Sequence, residues 1–322
     1  MRVLVVGGAG YIGSHTVREL LNQSYKVVVY DSLIKGHKES LPSDIDFIEG
    51  CLSDKKKLNE VFSNFDIDAV IQFAGFIEAG ESMKDPLLFH QNNVVNGINL
   101  LDVMIKNNVK KIIFSSSAGV YGNPEEIPIK ENSQKSPVNY YGLTKLMFEQ
   151  ILDSCKVYGM KSICLRYFNA AGAAFGLGED HNPESHLIPL VLQVALGKRE
   201  DIKVFGTDYE TRDGSCVRDY VHVLDLAKAH VLALEGLEKG KEGKYNIGSE
   251  RGYSVKEVIE VAREVTGKDI KAVESERRKG DPAILVASSE KFFQEFGWKP
   301  EIELKEIISS AWEWHSKNPN GF

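Results

Sequence analysis

Val3-Leu4-Val5-Val6-Gly7-Gly8-Ala9-Gly10-Tyr11-Ile12-Gly13 is the stretch whose reading decides the fold. Its first four residues are continuously apolar and mostly β-branched, the pattern of a strand buried on both faces of a parallel sheet. Residues 14–21 then carry a helical pattern, so the glycines at 7, 10 and 13 fall on a strand-to-helix turn. That spacing suits a dinucleotide pyrophosphate. One glycine makes the turn, one lets the backbone approach the phosphates, and one lets helix and strand pack closely, while the helix N-terminus offers N–H groups and a favourable dipole. A second apolar strand, Lys26-Val27-Val28-Val29-Tyr30, ends at Asp31. A carboxylate there accepts hydrogen bonds from ribose hydroxyls and repels a 2′-phosphate, which favours NAD over NADP. Arg2 and Lys35 are the cations that keep NADP open.

Outward from this turn, strands are expected near 45–48, 69–73, 111–115 and 162–167, and helices near 55–64, 86–107 and 140–158. The alternation predicts an α/β protein: a doubly wound parallel-sheet (Rossmann) domain over residues 1–175. A glycine-rich connection, 172–183, leads into a smaller α/β substrate-binding lobe over 176–322, with segments around 213–250 returning to the main sheet. In the lobe a helix is expected near 186–196, strands near 202–205 and 244–247, a capped helix at Ser254 with Glu257 three residues on, and a last helix over 304–317 stopped by Pro319. Ligands of such sheets bind outside the carboxyl ends of the strands. Phe73-Ala74-Gly75 and Ser115-Ser116-Ser117 are therefore expected beside the glycine turn, with the lobe lying over the strand ends.

The run Asn139-Tyr140-Tyr141-Gly142-Leu143-Thr144-Lys145 sets Tyr141 and Lys145 four apart, on one helix face. An ammonium beside a phenol favours the phenolate and lowers a pKa that is ordinarily about 10, which makes Tyr141 a candidate base toward a sugar hydroxyl. Tyr140 lacks such a partner, since position 144 is Thr. The net charge of −7 argues against a general nucleic-acid or anionic-membrane binder. No apolar stretch approaches a membrane span, and no basic-then-apolar leader precedes the first strand, so no membrane partner and no signal peptide are expected. Cys51, Cys155, Cys164 and Cys216 show no CxxC spacing, which points to a reduced, cytoplasmic setting. The eight histidines follow no metal-ligand pattern, so no metal is expected.

Taken in order, Gly-Gly-Ala-Gly-Tyr-Ile-Gly-Ser-His-Thr at 7–16, Phe-Ala-Gly at 73–75, Ser-Ser-Ser-Ala-Gly-Val-Tyr-Gly at 115–122, Tyr-Gly-Leu-Thr-Lys at 141–145, Arg-Tyr-Phe-Asn at 166–169, Val-Arg-Asp-Tyr-Val-His-Val at 217–223 and Gly-Asp-Pro-Ala at 280–283 resemble the extended short-chain dehydrogenase/reductase superfamily and, within it, the UDP-glucose 4-epimerase family. The resemblance runs from Val3 to about Pro319. It implies Tyr141 as catalytic base, Lys145 as its partner and Ser117 as a third catalytic hydroxyl. It implies NAD held by Gly7, Gly10, Tyr11, Ile12, Gly13, Asp31, Ser32, Gly36, Cys51, Leu52, Phe73, Ala74, Gly75, Ile77, Asn92, Ser115, Tyr141, Lys145 and Phe168. It implies a UDP-hexose held by Ser117, Tyr141, Asn169, His186, Leu187, Lys203, Val204, Phe205, Arg218, Arg278 and Asp281. The reaction implied is interconversion of UDP-glucose and UDP-galactose: hydride leaves sugar C4 for NAD, a 4-keto sugar turns over, and hydride returns to its opposite face. A homodimer through helices spanning about 86–107 and 141–158 is implied as well.

Three positions depart from the family pattern. Cys51 stands where many relatives carry Asp near the adenine, His186 where some carry Asn, and Leu285 where residue size sets tolerance for an N-acetylated sugar. A 4-epimerase of UDP-N-acetylhexosamine or UDP-uronate therefore remains an alternative, as does a non-catalytic NAD-binding module. Elimination chemistry is disfavoured, because Ser117 is followed by Ala118-Gly119-Val120 with no acid. His15 and His222 read as structural, and Trp298, Trp312 and Trp314 as packing residues rather than sugar platforms.

Overall fold

The computed structural model describes residues 1–278 and 281–322; Lys279 and Gly280, the second of which opens the Gly-Asp-Pro-Ala motif, lie outside the described residues. Val3, Leu4, Val5 and Val6, at most 1% exposed, make up most of β1 (Arg2–Val6), an inner strand of a seven-stranded sheet. There follow α1 (Tyr11–Asn22), β2 (Lys26–Asp31), β3 (Asp46–Glu49), α2 (Lys55–Asn64), β4 (Ala69–Gln72), the short helices α3 (Ala79–Ser82) and α4 (Pro86–His90), a π-helical turn (Gln91–Val95), α5 (Asn96–Lys106), β5 (Lys111–Ser117), α6 (Tyr140–Ser154) and β6 (Lys161–Tyr167). The remainder comprises β7 (Asn169–Ala171), α7 (Leu187–Ala195), β8 (Ile202–Phe205), β9 (Val217–His222), α8 (Val223–Glu238), β10 (Gly243–Ile247), β11 (Gly252–Ser254), α9 (Val255–Thr266), β12 (Ala272–Ser275), β13 (Ile284–Leu285), α10 (Glu290–Phe296) and α11 (Leu304–Lys317).

The main sheet has the order β10-β6-β5-β4-β1-β2-β3. Strand β1 pairs in parallel with β2 on one side and with β4 on the other, so the order reverses at β1. That reversal is where ligands of doubly wound sheets bind. The register sets Val6 opposite both Tyr30 and Gln72, so Gly7, Asp31 and Phe73 leave the sheet at the same edge.

By compactness the chain forms two units. The first comprises Met1–Gly122, Lys135–Arg166 and Ala227–Tyr245, the second Asn123–Gln134, Tyr167–Leu226 and Asn246–Phe322. A single cut at 175/176 does not describe this interleaving, because the chain comes back to the main sheet through β10, the neighbour of β6. The first unit has a core built around Leu4, Val28, Leu58, Leu100, Ile112 and Phe148. The second has its own, around Ile188, Leu192, Val258, Ile259, Ile307 and Ile308, and contains the β11-β9-β13 sheet with β7 on β9, and the β12–β8 pair.

Two expected long helices are interrupted. The one over 86–107 becomes α4, a π-helical turn and α5, and the one over 140–158 ends at Ser154 in a 3-10 turn closed by Gly159 at φ 75°. Inserted π turns recur at functional sites because the extra residue re-aims side chains. Among the described residues no helix is long and apolar enough to cross a membrane.

Candidate active site

The glycine turn is built as a cradle. Gly7 adopts φ 78°, and a Cβ there would sit 2.5 Å from the Ala74 nitrogen; at Gly13 it would sit 2.2 Å from the Gly7 oxygen. These two glycines allow backbone to pack on backbone. At Gly10 the nearest atom to an added Cβ is the Gly7 oxygen at 3.4 Å, so its outer side faces open space. Gly10 is also the N-cap of α1 and carries no side-chain cap, the arrangement in which first-turn amides serve an anion. Asp31 is tied to this turn: its Oδ2 accepts the Ala9 N–H at 2.9 Å and its Oδ1 the Leu33 N–H at 2.8 Å. Burial pushes the Asp31 carboxyl up, and the backbone bonds from Leu33, Ala9 and Ser32 partly offset this. Each carboxylate oxygen has a further lone pair for a ribose hydroxyl. Gly36 packs on the same turn, where a Cβ would lie 2.9 Å from Ala9. The geometry thus fits the dinucleotide expected from the sequence.

Lys35, the cation that would answer a 2′-phosphate, is paired with Glu78 at 2.8 Å. Like charges near 4 Å repel by about 1–4 kcal/mol in water-exposed settings. Asp31→Ser is therefore expected to raise the NADP/NAD affinity ratio roughly tenfold or more. Titration of both cofactors onto the stripped protein checks this, and an unchanged ratio would leave Asp31 a turn residue.

Further along the crevice, the Phe73 and Ala74 amides donate to the Val6 oxygen at 2.8 and 3.1 Å. A Cβ on Gly75 would lie 3.2 Å from Asn93 Oδ1 and 3.7 Å from Lys145 Nζ. Ile77 donates its N–H to Glu78. The Cys51 carbonyl accepts the Tyr30 hydroxyl at 2.9 Å, and the Leu52 side chain belongs to the core, which leaves only its backbone for the expected cofactor contact.

The expected catalytic trio, Ser117, Tyr141 and Lys145, is set by the start of α6. Asn139 caps the helix, its Oδ1 accepting the Gly142 N–H at 2.8 Å. A Cβ on Gly142 would fall 2.3 Å from the Gly119 oxygen, so the helix start rests directly on the turn after β5. This contact brings the Tyr141 phenol close to the Ser117 hydroxyl, which acts to lower the phenol's pKa. Ser117 Oγ also accepts the Gly119 N–H at 3.0 Å. Lys145, 3% exposed, donates to the Ser115 oxygen at 2.7 Å, with its Nζ 5.7 Å from the centre of the Tyr141 ring.

The lowered phenol pKa expected from the Tyr141/Lys145 spacing is not what this arrangement produces. Burial dominates and holds the Tyr141 pKa above its ordinary value; the Ser117 hydroxyl works the other way and the Glu78 charge adds to the rise. Burial also pushes Lys145 down, to about 8. The four-residue spacing supplied proximity, while desolvation of both groups set their protonation.

Two structural devices escaped the sequence reading. Asn92 donates to Asn93 Oδ1 at 3.0 Å, and Asn93 is the buried hub: its Oδ1 accepts the Phe76 N–H at 2.8 Å and its Nδ2 donates to the Phe76 oxygen at 3.0 Å and to Thr144 Oγ1 at 3.1 Å. Segment 73–77 is thereby fixed to α6. The second device is Glu149, on the same helix, which receives Arg166 through Nε at 2.9 Å and Nη2 at 2.6 Å, and the Ser116 hydroxyl at 2.6 Å. Arg166 Nη1 also donates to the Tyr121 hydroxyl at 2.7 Å. An acid and a base buried seventeen residues apart leave no local pattern to read.

Apart from Ser117 and Tyr141, the expected substrate residues lie in the second unit, as does Phe168 of the expected cofactor set. Phe168 donates its N–H to the Ile247 oxygen at 3.4 Å, and Asn169 donates to the Asp219 oxygen at 2.8 Å. His186 is the N-cap of α7 and Leu187 its first residue. Burial opposes protonation of His186, but Glu179 and Glu184 raise its pKa well above the ordinary value. Strand β8 alternates: Val204 is 2% exposed and packed in the core, while Lys203 and Phe205 face outward. Val204 therefore offers a ligand only its backbone. Lys203 pairs with Asp201 at 3.2 Å. The Arg278 guanidinium lies 4.0 Å over the Phe205 ring, a cation–π contact that holds it in place. Arg218 donates to the Pro282 oxygen at 2.9 Å and lies 3.5 Å from Asp281. Next to it Asp219, fully buried, accepts the Ser249 N–H and hydroxyl and the Glu250 and Ala287 amides, which fix the segment around Arg218; burial still raises its pKa to about 6.

The residues set aside as structural are accounted for by their contacts. Tyr140 is 37% exposed; His15 is buried with Nδ1 at 2.7 Å from the Tyr11 oxygen; His222 Nδ1 accepts the Leu224 N–H at 3.0 Å; Trp298 donates to the Asp225 oxygen at 2.9 Å.

Sheet order, glycine cradle and the Ser117–Tyr141–Lys145 arrangement together define a nicotinamide-dinucleotide enzyme of the short-chain dehydrogenase type. The chain belongs to the NAD dependent epimerase/dehydratase family, whose model matches residues 3–248. It is 52% identical to the UDP-glucose 4-epimerase of Halalkalibacterium halodurans, over 100% of this chain and 98% of that one. A crystal structure of a UDP-glucose 4-epimerase superposes with a TM-score of 0.97 at 47% identity, covering 100% of this chain and 99% of the other. The UDP-glucose 4-epimerase of Bifidobacterium longum, solved with NAD+ and UDP, gives 0.95 at 42% identity over 100% of both chains. NAD is the cofactor of this family and of this chain.

Proposed function

We propose that the chain interconverts UDP-glucose and UDP-galactose by inverting sugar C4 through a transient 4-keto sugar. The observation that carries this reading is the juxtaposition of the Ser117 hydroxyl, the buried Tyr141 phenol and the buried Lys145 ammonium, in a chain whose full-length relatives are UDP-glucose 4-epimerases. The turn at Gly7, Gly10 and Gly13, with Asp31, Asn92, Ser115 and Lys145, would hold the dinucleotide, which would supply a hydride acceptor and donor beside sugar C4. Tyr141 removes the proton of the 4-hydroxyl and gives it back to the inverted oxygen. Ser117 holds that oxygen and shares the proton. Lys145, anchored on the Ser115 oxygen, supplies positive charge beside the phenol when it ionises.

A keto sugar that must rotate cannot be gripped tightly, so its UDP carries the binding. Arg218 and Arg278 suit the two phosphates through charge-assisted bonds. Losing one such bond costs about 1.5–3 kcal/mol. Arg278→Ala is expected to raise KM about 10- to 150-fold and to weaken free UDP equally; unchanged UDP affinity with altered sugar preference would place Arg278 on the hexose instead.

The functional test is incubation of the purified chain with UDP-glucose, UDP-N-acetylglucosamine and UDP-glucuronate separately, without added reductant. UDP-galactose from the first supports the proposal. Conversion of one of the others alone moves the substrate, and NAD retention without any conversion makes the chain a binding module.

Assembly as a homodimer is part of the same proposal. Leu87 (79% exposed), Leu88, Val95 and Ile98 on the α4–α5 stretch, with Val157 (80%) and Tyr158 just beyond α6, give the expected helices an uncovered apolar face. Sedimentation at the mass of two chains is expected; a monomer contradicts it. The free thiols of Cys51, Cys155, Cys164 and Cys216 suit a reducing, cytoplasmic setting.

A further inference from the structure

The loop ahead of α7 gathers a mixed His/Glu set that the sequence reading did not see as one. Glu179, His181, Glu184 and His186 each present one ligand-type atom, all within 4.8 Å of one another. Glu179 Oε1 lies 3.2 Å from His181 Nδ1 and 2.9 Å from His186 Nδ1. Glu184 Oε1 lies 3.0 Å from His186 Nδ1, and its Oε2 lies 3.9 Å from His181 Nδ1. Four donors around a tetrahedral zinc ion, at bonds near 2.0–2.1 Å, stand about 3.3 Å from one another. The observed separations start at 2.9 Å and none exceeds 4.8 Å, so closing the set on such an ion draws its widest pair in by up to about 1.5 Å.

The surroundings favour a cation. The two carboxylates are only 5% and 7% exposed, and carboxylates so close and so desolvated need positive charge between them. Glu184 is oriented from outside the cluster: its Oε1 accepts the Ser185 N–H at 2.7 Å and the His186 N–H at 2.8 Å, which leaves Oε2 for a ligand. Such outer hydrogen bonds are how metal-binding carboxylates are held. Two imidazole and two carboxylate donors suit zinc rather than magnesium or calcium, which take oxygen alone. We propose that Glu179, His181, Glu184 and His186 bind one zinc-type divalent cation, which staples the eight-residue loop to the start of α7. With Nδ1 on the metal, His186 keeps Nε2 for another partner. This goes beyond the epimerase reading and does not depend on it.

The spacing Glu-x-His-x-x-Glu-x-His matches none of the common zinc patterns, and half of its ligands are carboxylates, so a search for paired Cys and His passes over it. Protonated imidazoles paired with the carboxylates would be the metal-free alternative, and binding measurements separate the two. Full-length protein is stripped with chelator, dialysed against buffered Zn2+, and its metal counted by mass spectrometry; Co2+ loading gives an independent optical signature of tetrahedral ligation. One zinc per chain and tetrahedral Co2+ bands are expected. Loss of even an outer hydrogen bond lowers metal affinity ~10–100-fold, so His181→Ala and Glu184→Gln, with unchanged circular dichroism and retained NAD, should each lose at least that much. Substoichiometric zinc on the unmutated chain, non-tetrahedral Co2+ spectra, or two variants that bind as tightly as the parent overturn the proposal.

Discussion

Tyr141→Phe is expected to lower turnover about 10²–10⁴-fold, the usual worth of a positioned proton-transfer group, with NAD still bound. The phenol is the sole part removed. The ring stays where the Gly119–Gly142 contact sets it, and Lys145 keeps its bond to the Ser115 oxygen. KM for the UDP-sugar should move little, because the phosphates are held elsewhere in the proposal, so the loss falls on kcat. Tyr140→Phe is the control: that ring is 37% exposed and 6.2 Å from His90, and its loss should be mild. A Tyr141→Phe protein that turns over near the parental rate would move the base to another residue.

Glu149→Ala carries the largest expected effect on stability. Arg166 is 1% exposed and its Nε and Nη2 donate to Glu149, so truncation leaves a buried guanidinium without its counter-ion. Breaking such a pair costs about 3–5 kcal/mol. Ser116 loses its acceptor at the same time. Since Glu149 lies on the helix that carries Tyr141 and Lys145, activity should fall before the protein unfolds. The midpoint of urea denaturation measures the first effect. The double change Glu149→Leu with Arg166→Met should regain much of the loss, because an apolar pair of similar volume needs no counter-charge. An unchanged midpoint for Glu149→Ala would mean that solvent reaches Arg166.

Legibility followed physical range. Where one residue type must serve one local geometry, the sequence was explicit: the glycine turn, Asp31 at the end of β2, the capping box of Ser254 with Glu257, and the last helix, which runs Leu304–Lys317 as expected from its periodicity. Strand β8 was placed at 202–205, and its alternation then decides which of Lys203, Val204 and Phe205 face outward. Helix α8 had not been anticipated. Leu226, Ala227, Ala229, Ala233, Leu234 and Leu237 are all buried, and the outward face mixes Leu224 and Leu232 with Lys228, Glu235 and Glu238, so little polar contrast marks the period. The π turn at Gln91–Val95, which contains Asn93, was hidden for a different reason: one extra residue in a helix leaves composition unchanged.

The candidate site divides in the same way. Tyr141, Lys145 and Ser117 were read from spacing and motif, yet their protonation was not, because burial comes from the whole fold. Arg218 and Arg278 were named, but the groups that orient them, Pro282, Asp281 and Phe205, could be assigned only from coordinates. Asp219 sat unremarked beside Arg218, although it is the buried acceptor that fixes segments 249–250 and 287.

The central claim is that hydrogen leaves C4 as hydride and returns to the same carbon. UDP-glucose carrying deuterium at C4, incubated with the protein in ordinary water, tests it directly. UDP-galactose that keeps its deuterium at C4 is the predicted product, because the hydride stays on the cofactor between the two transfers. Product whose C4 deuterium has exchanged with water would contradict the account and require a proton, not a hydride, to leave that carbon.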